Sequence, residues 1–339
     1  MTTNQTHQSP LTNHQSRLWA EGGYRAPVWL PGGHAQTIFP AVFMLRPPVA
    51  YRRERWETPD GDFIDLDWVD GPPGGPLVAV FHGLEGSSRS HYAAALMQTV
   101  RERGWRGVVP HFRGCSGELN RMPRAYHSGD SAEIDWILRR LRSLFAAPLY
   151  AAGVSLGGNA LLKWLGERGA EAREVVAAAA AVSAPVDLMA AGAALDHGFN
   201  LVYVRHFLST LKRKSRAKLE RFPGLFDGVR MTAARTLREF DDVVTAPLHG
   251  FRDTDDYWTR ASSKPYLRGI AVPTLLMNAR NDPFLPEQAL PAAEELAPCI
   301  AAEFPAHGGH VGFTCGPFPG RFEWLPRRVF SYFVDGHVR

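Results

Sequence analysis

The sequence predicts an α/β fold: a mostly parallel, twisted sheet covered by helices on both faces, with a helical insertion laid over it. Three observations predict it. From Leu77 onward, short apolar runs alternate with longer stretches of helical period. The strand candidates are apolar almost throughout rather than alternating, as strands buried on both faces are. Between about 188 and 270 that beat stops, and the chain becomes rich in aromatic and basic residues.

Taken in order, residues 1–20 ("MTTNQTHQSPLTNHQSRLWA") have no charged start followed by an apolar core. They read as a disordered polar tail rather than a secretory signal, ahead of a single domain over 21–339. "YRAPVWLPGGHAQTIFPAVF" reads as an extended entry segment, and "YRRERWETPDGDFIDLDWVDG" as an antiparallel hairpin turning at Asp60-Gly61. "PLVAVFHG" is a strand and turn, "SRSHYAAALMQTVRERG" a helix ending at Gly104, and "WRGVVPHFRG" a strand. "DSAEIDWILRRLRSLF" is a helix, "PLYAAGV" a strand, "GGNALLKWLGERG" a helix and "REVVAAAAAVSAP" a buried strand. A structureless loop from 188 to 270 would be anomalous, so this stretch is expected to be helical, and in a hydrolase it would be a lid. "VPTLLMNARNDPF" returns to the sheet.

The net charge of +4 is spread along the chain, which does not suggest nucleic acid as a partner. Cys115, Cys299 and Cys315 are too few and scattered for a disulfide framework, so a reducing compartment, by default the cytoplasm, is expected. The most membrane-like stretch, "VVAAAAAVSAPVDLMAAGAAL", is broken by Ser183, Pro185 and Asp187 short of the roughly 18 apolar residues a spanning helix needs.

Ser155 lies in "GVSLGGN", a G-x-S-x-G pattern between an apolar strand and a helix. That context puts the serine on a sharp strand-to-helix turn that exposes its hydroxyl, which raises it above a chance match. A serine needs a base, and the base needs an orienting acid. Asp282 in "RNDPF" follows a strand and is favoured as the acid, with Asp187 in "SAPVDL" as its rival. His310 in "HGGHVGF" is favoured as the base over His307. His307 and His310 spell H-x-x-H, but no H-E-x-x-H helix or cysteine cluster accompanies them, so neither metal nor cofactor is expected. The backbone N–H groups of Leu84 and Leu156 are the expected oxyanion donors. His82 reads as a strand-end histidine holding a loop, Arg113 as a loop tie and Cys115 as a buried thiol, while Glu85 caps the following helix or shapes the pocket. "LKRKSRAKLERF" holds six basic residues and one acid. It reads as a solvated helix face, with weak contact to an anionic membrane surface as the other reading.

"PVWLPGGHAQTI", "FHGLEGSS", "HFRGCSGE", "YHSGD", "GVSLGGN", "FDDVVTAPLHGF", "NDPF" and "HGGHVGF" together resemble the YheT-like branch of the α/β-hydrolase superfamily, bacterial relatives of the eukaryotic abhydrolase-domain lipases. The resemblance runs from about Ala26 to Phe333. It implies the α/β-hydrolase fold and a serine esterase with Ser155 as nucleophile, Asp282 as acid and His310 as base. The substrate would be a small-molecule carboxylic ester of a short or medium acyl chain, or a monoacylglycerol-like lipid. An acyltransferase with the same triad, and a ligand-binding protein on a hydrolase scaffold, are the other classes. The sequence assigns no oligomeric state.

Overall fold

The computed structural model describes residues 23–335, so the tail read at 1–20 lies outside the described residues. Eight strands among them form one sheet: β1 (Arg52–Glu57), β2 (Phe63–Val69), β3 (Leu77–Phe81), β4 (Arg106–Pro110), β5 (Leu149–Val154), β6 (Ala178–Val182), β7 (Thr274–Met277) and β8 (Ile300–Glu303). Their order is β1-β2-β4-β3-β5-β6-β7-β8. Pairing is antiparallel from β1 through β4 and parallel from β4 through β8.

The β1–β2 hairpin turns at Asp60-Gly61, with Gly61 at φ 78°, a value glycine adopts without strain. The exposed edge is charged. Arg53 faces Asp67 and Arg55 faces Asp65 in direct register, each pair making two hydrogen bonds at 2.7 and 2.9 Å. Charges along an edge strand discourage pairing with another chain.

One helix, α1 (Gly33–Val42), precedes the strands; α2 (His91–Glu102), α3 (Ser131–Leu144), α4 (Leu156–Arg168) and, at the end, α11 (Trp324–Asp335) follow them. One core cluster holds α3 and α4 against the sheet through Ile134, Leu138, Leu161 and Trp164. The opposite face is covered by α2 and α11 through Leu96, Met97, Val329 and Phe333. All of β6, "AAAAV", is buried, and its small side chains leave room for helices on both sides.

Two elements differ from the sequence reading. Residues 33–42 are helical rather than extended; Pro40 inside α1 and the absence of a side-chain cap blur the helical signal there. The short edge strand β8 is only half-buried, which removes the apolar run that marks the other parallel strands.

Between β6 and β7 lie α5 (Leu188–Leu195), α6 (Leu201–Arg221), α7 (Gly228–Ala233), α8 (Leu237–Phe240), α9 (Ala246–Leu248) and α10 (Thr254–Ala261). A π-helical turn, Asp241–Thr245, joins α8 to α9. This segment has its own apolar cluster, including Val204, Leu208, Met231, Phe240 and Trp258, to which Phe284 from the loop after β7 is added.

Candidate active site

Ser155 sits where β5 ends and α4 begins, at φ 54° and ψ −122°. A side chain rarely adopts that left-handed region, and strain of this kind persists only where the surroundings fix it. Here they do. Ser155 N–H donates to Val182 O at 2.9 Å, and a Cβ on Gly157 would come within 2.5 Å of Phe81 O and 2.6 Å of His82 O. The strand-to-helix turn can close against β3 only because residue 157 lacks a side chain.

Two loops at the same edge of the sheet bring in the partners. His310, after β8, has Nε2 2.9 Å from Ser155 Oγ and Nδ1 2.9 Å from Asp282 Oδ2. An ionised carboxylate only accepts, so Nδ1 carries the proton and Nε2 is left to accept from the serine hydroxyl. Asp282 is fully buried at its side chain, and its second oxygen accepts the Phe284 N–H at 2.8 Å. The Phe284 ring stacks on the imidazole with centroids 4.1 Å apart. The structure thus joins Ser155, His310 and Asp282 in one chain of hydrogen bonds.

The rivals are engaged elsewhere. Asp187 caps α5, accepting the Ala190 N–H at 3.0 Å. His307 is exposed, its Nδ1 3.4 Å from Asn281 Nδ2. His82 is fully buried; Nδ1–H donates to Gly83 O at 2.8 Å while Nε2 accepts the Phe112 N–H at 3.1 Å. Burial pushes its pKa down to about 3, so it stays neutral and ties the loop after β3 to the segment after β4. Arg113 is also buried, donating to Glu133 at 2.6 Å, Asp60 at 2.7 Å and Asp62 at 3.1 Å, which ties the hairpin turn to α3.

Three supporting residues went unread in the sequence. Thr37 Oγ1 accepts the His310 N–H at 2.8 Å. Gln36 Oε1 accepts from Gly308 N–H at 2.8 Å and from Asn281 Nδ2 at 2.9 Å. Asn281 Oδ1 accepts the Gly309 N–H at 3.0 Å. Gln36 and Thr37 lie on α1, so the segment read as an extended entry is the brace between the Asp282 and His310 loops. The sequence signal is slight: Gln36 and Thr37 are adjacent polar residues in "GGHAQTI", and it is the fold that buries both.

Ser155 and His310 open into a largely apolar cavity of about 120 Å³. Leu84 and Leu156 line it beside the serine, and the inserted helices supply most of the remaining wall, including Phe207, Leu211, Phe240 and Trp258. Among the described residues, no group of three or more His, Cys, Asp or Glu is placed to hold a metal ion. No helix among them is long and apolar enough to cross a membrane.

Residues 76–317 match the family described as the α/β hydrolase fold. The chain belongs to the α/β-hydrolase family. Within it the YheT-like branch is evident: this hydrolase is 43% identical to YheT of Escherichia coli, over 87% of this chain and 88% of that one. It is 33% identical to the phospholipase ABHD3 of Mus musculus, over 93% of this chain and 79% of that one. Among solved structures, Est1E from Butyrivibrio proteoclasticus, with ferulic acid bound, superposes at a TM-score of 0.54. That alignment covers 86% of this hydrolase and 100% of Est1E at 16% identity, a likeness of fold.

Proposed function

We propose that the protein hydrolyses carboxylic esters of short or medium acyl chains, including monoacylglycerol-like lipids, through an acyl-Ser155 intermediate. The observation that carries this reading is the Ser155–His310–Asp282 hydrogen-bond chain at the mouth of an apolar cavity. Kinship with a phospholipase supports acyl lipids as the substrate class.

His310 Nε2 takes the Ser155 proton as Oγ attacks the ester carbonyl carbon. The oxyanion so formed accepts hydrogen bonds from the Leu84 and Leu156 amides, the latter at the positive end of α4. His310 then returns the proton to the departing alkoxide, and the alcohol leaves. Water, deprotonated by the same imidazole, attacks the acyl-enzyme carbonyl; the C–Oγ bond breaks, His310 returns the proton to Ser155 Oγ, and the acid is released. Asp282 keeps the proton on Nδ1 throughout and stabilises the imidazolium. Every step uses side chains and amides of this chain, so no cofactor is required. The helices of 188–270 act as a lid whose apolar face receives the acyl chain.

The test is labelling with a fluorophosphonate alongside turnover of p-nitrophenyl esters from acetate to dodecanoate. Labelling confined to Ser155, with turnover peaking at short or medium chains, is expected. A folded Ser155→Ala variant should lose on the order of 10⁶ in kcat. Retention of more than a few per cent of activity by that variant would show the nucleophile to lie elsewhere.

A further inference from the structure

Two features are not used by the chemistry above: Glu85, next to the Leu84 amide, and the basic stretch of α6. They meet. Lys214 Nζ lies 2.7 Å from Glu85 Oε1, with only 9% of the Glu85 side chain exposed. Tyr126 OH donates to the same Oε1 at 2.8 Å and accepts the Glu85 N–H at 2.9 Å, so the residue is held by both its side chain and its backbone. Glu85 itself sits at φ 54°, a left-handed conformation that a non-glycine residue keeps only under constraint.

On α6, Phe207, Leu211, Lys214 and Lys218 recur at spacings of four, three and four, which puts them on one face. Phe207 and Leu211 line the cavity together with Leu84 and Tyr126. Lys218, 4% exposed, donates to Met122 O at 2.6 Å, a second tie from the same face. The basic stretch is therefore divided: Arg213 and Arg216 face solvent, while Lys214 and Lys218 turn inward. Burial alone would depress the Lys214 ammonium; Cys115, 3.4 Å away at Sγ, and Glu85 offset it and hold the pKa above the ordinary lysine value.

We infer that Lys214 and Glu85 are positioning residues: their ion pair couples the seating of α6 to the loop that carries the Leu84 amide. The cavity wall and the oxyanion donor are thereby set in place together. This rests on the esterase reading for its catalytic consequence, but the coupling itself is a property of the fold. A substrate that displaces α6 loosens the donor loop, and one that fits beneath it leaves that loop fixed.

The experiment uses the full chain with Lys214→Met, Lys214→Arg and Glu85→Ala, alone and with Lys214→Met and Glu85→Ala combined. Folding is checked by thermal melting, and Lys214→Gln replaces the methionine variant if that does not fold. Amide hydrogen exchange over residues 83–88 is read first, because it needs no catalysis. Lys214→Met should speed it at least tenfold, although the change lies in α6, and Lys214→Arg should restore it. With p-nitrophenyl butyrate, Lys214→Met should lower kcat roughly 10- to 100-fold with KM within about twofold, the scale of a small misplacement of a catalytic group. The double variant should lose no more than the worse single variant, as residues acting as a unit do. Unchanged exchange at 83–88 in the folded Lys214→Met variant, or in Lys214→Gln where that replaces it, or additive losses in the double, overturns the coupling. Absence of ester turnover by the unaltered chain would instead overturn the esterase reading and leave the exchange result to decide the coupling.

Discussion

Thr37 Oγ1 accepts the backbone N–H of His310 at 2.8 Å across 273 residues of sequence, and donates to Gly33 O at 2.7 Å within its own helix. Thr37→Val keeps the shape but leaves that N–H without its acceptor, a loss of about 1–3 kcal/mol. The expected result is a kcat lowered roughly tenfold or more, because the imidazole is no longer braced, with a melting point a few degrees lower. Steady-state kinetics on a short ester checks it. Wild-type kcat in the variant would mean that the His310 loop holds its place without α1.

Asp282→Asn separates the orienting acid from its sequence rival. The amide has nearly the same size, yet it presents an N–H to His310 Nδ1 and favours the wrong tautomer; the expected loss is on the order of 10⁴ in kcat. Asp187→Asn leaves α5 a cap acceptor in the amide oxygen and removes only the charge, so it should cost well under about 1 kcal/mol of stability, with kcat little changed. Parallel kinetics and melts of the two variants make the comparison. The larger kinetic loss at position 187 would move the acid to the loop after β6.

Asp241, in the π-helical turn lining the cavity, accepts from Thr245 Oγ1 at 2.6 Å and from Trp258 Nε1 at 2.9 Å. Burial pushes its pKa up to about 6. The folded chain therefore binds this proton more tightly than the unfolded chain, whose carboxyl titrates near 4. The resulting stabilisation is complete below about pH 4 and is lost as pH rises through 6. Asp241→Asn should accordingly melt higher than the parent at pH 7.5 and lose that advantage at pH 4. His82 and His249 act in the opposite sense: both are pushed down to about 3 by burial, so their contribution is present above 6.5 and is lost as pH falls toward 3. Melting curves from pH 4 to 8 on parent and variant read the difference; an equal melting point at pH 7.5 would refute the buried-carboxylate account.

Most of the sheet was legible because its strands are buried on both faces and read as unbroken apolar runs, from "LVAVF" to "TLLM". β8 escaped because an edge strand keeps one side in water. Ser155, Asp282 and His310 could be picked out because each lies in a short motif at the end of a strand, where glycine and asparagine mark a turn. Gln36 and Thr37 could not be assigned a purpose, since the groups they hold are separated from them by more than 240 residues. Glu85 stayed undecided for a like reason: its cationic partner arrives 129 residues later, inside a stretch whose composition resembles any solvated helix. Long-range hydrogen bonds leave no periodic trace in a sequence.

The distance in sequence between the serine and its partner also fixes when chemistry becomes available. Ser155 and the strands that frame it, β3, β5 and β6, are complete once residue 182 has been made, whereas the imidazole that faces it is added 155 residues after the serine. At synthesis rates of about 5–20 residues per second, the hydroxyl waits on the order of ten seconds or more for a proton acceptor. On the proposed mechanism, a growing chain would carry an inert serine until that imidazole is made. The 188–270 helices, which supply most of the cavity wall, also precede that imidazole in the chain, so on the proposed mechanism the wall residues are made before the base.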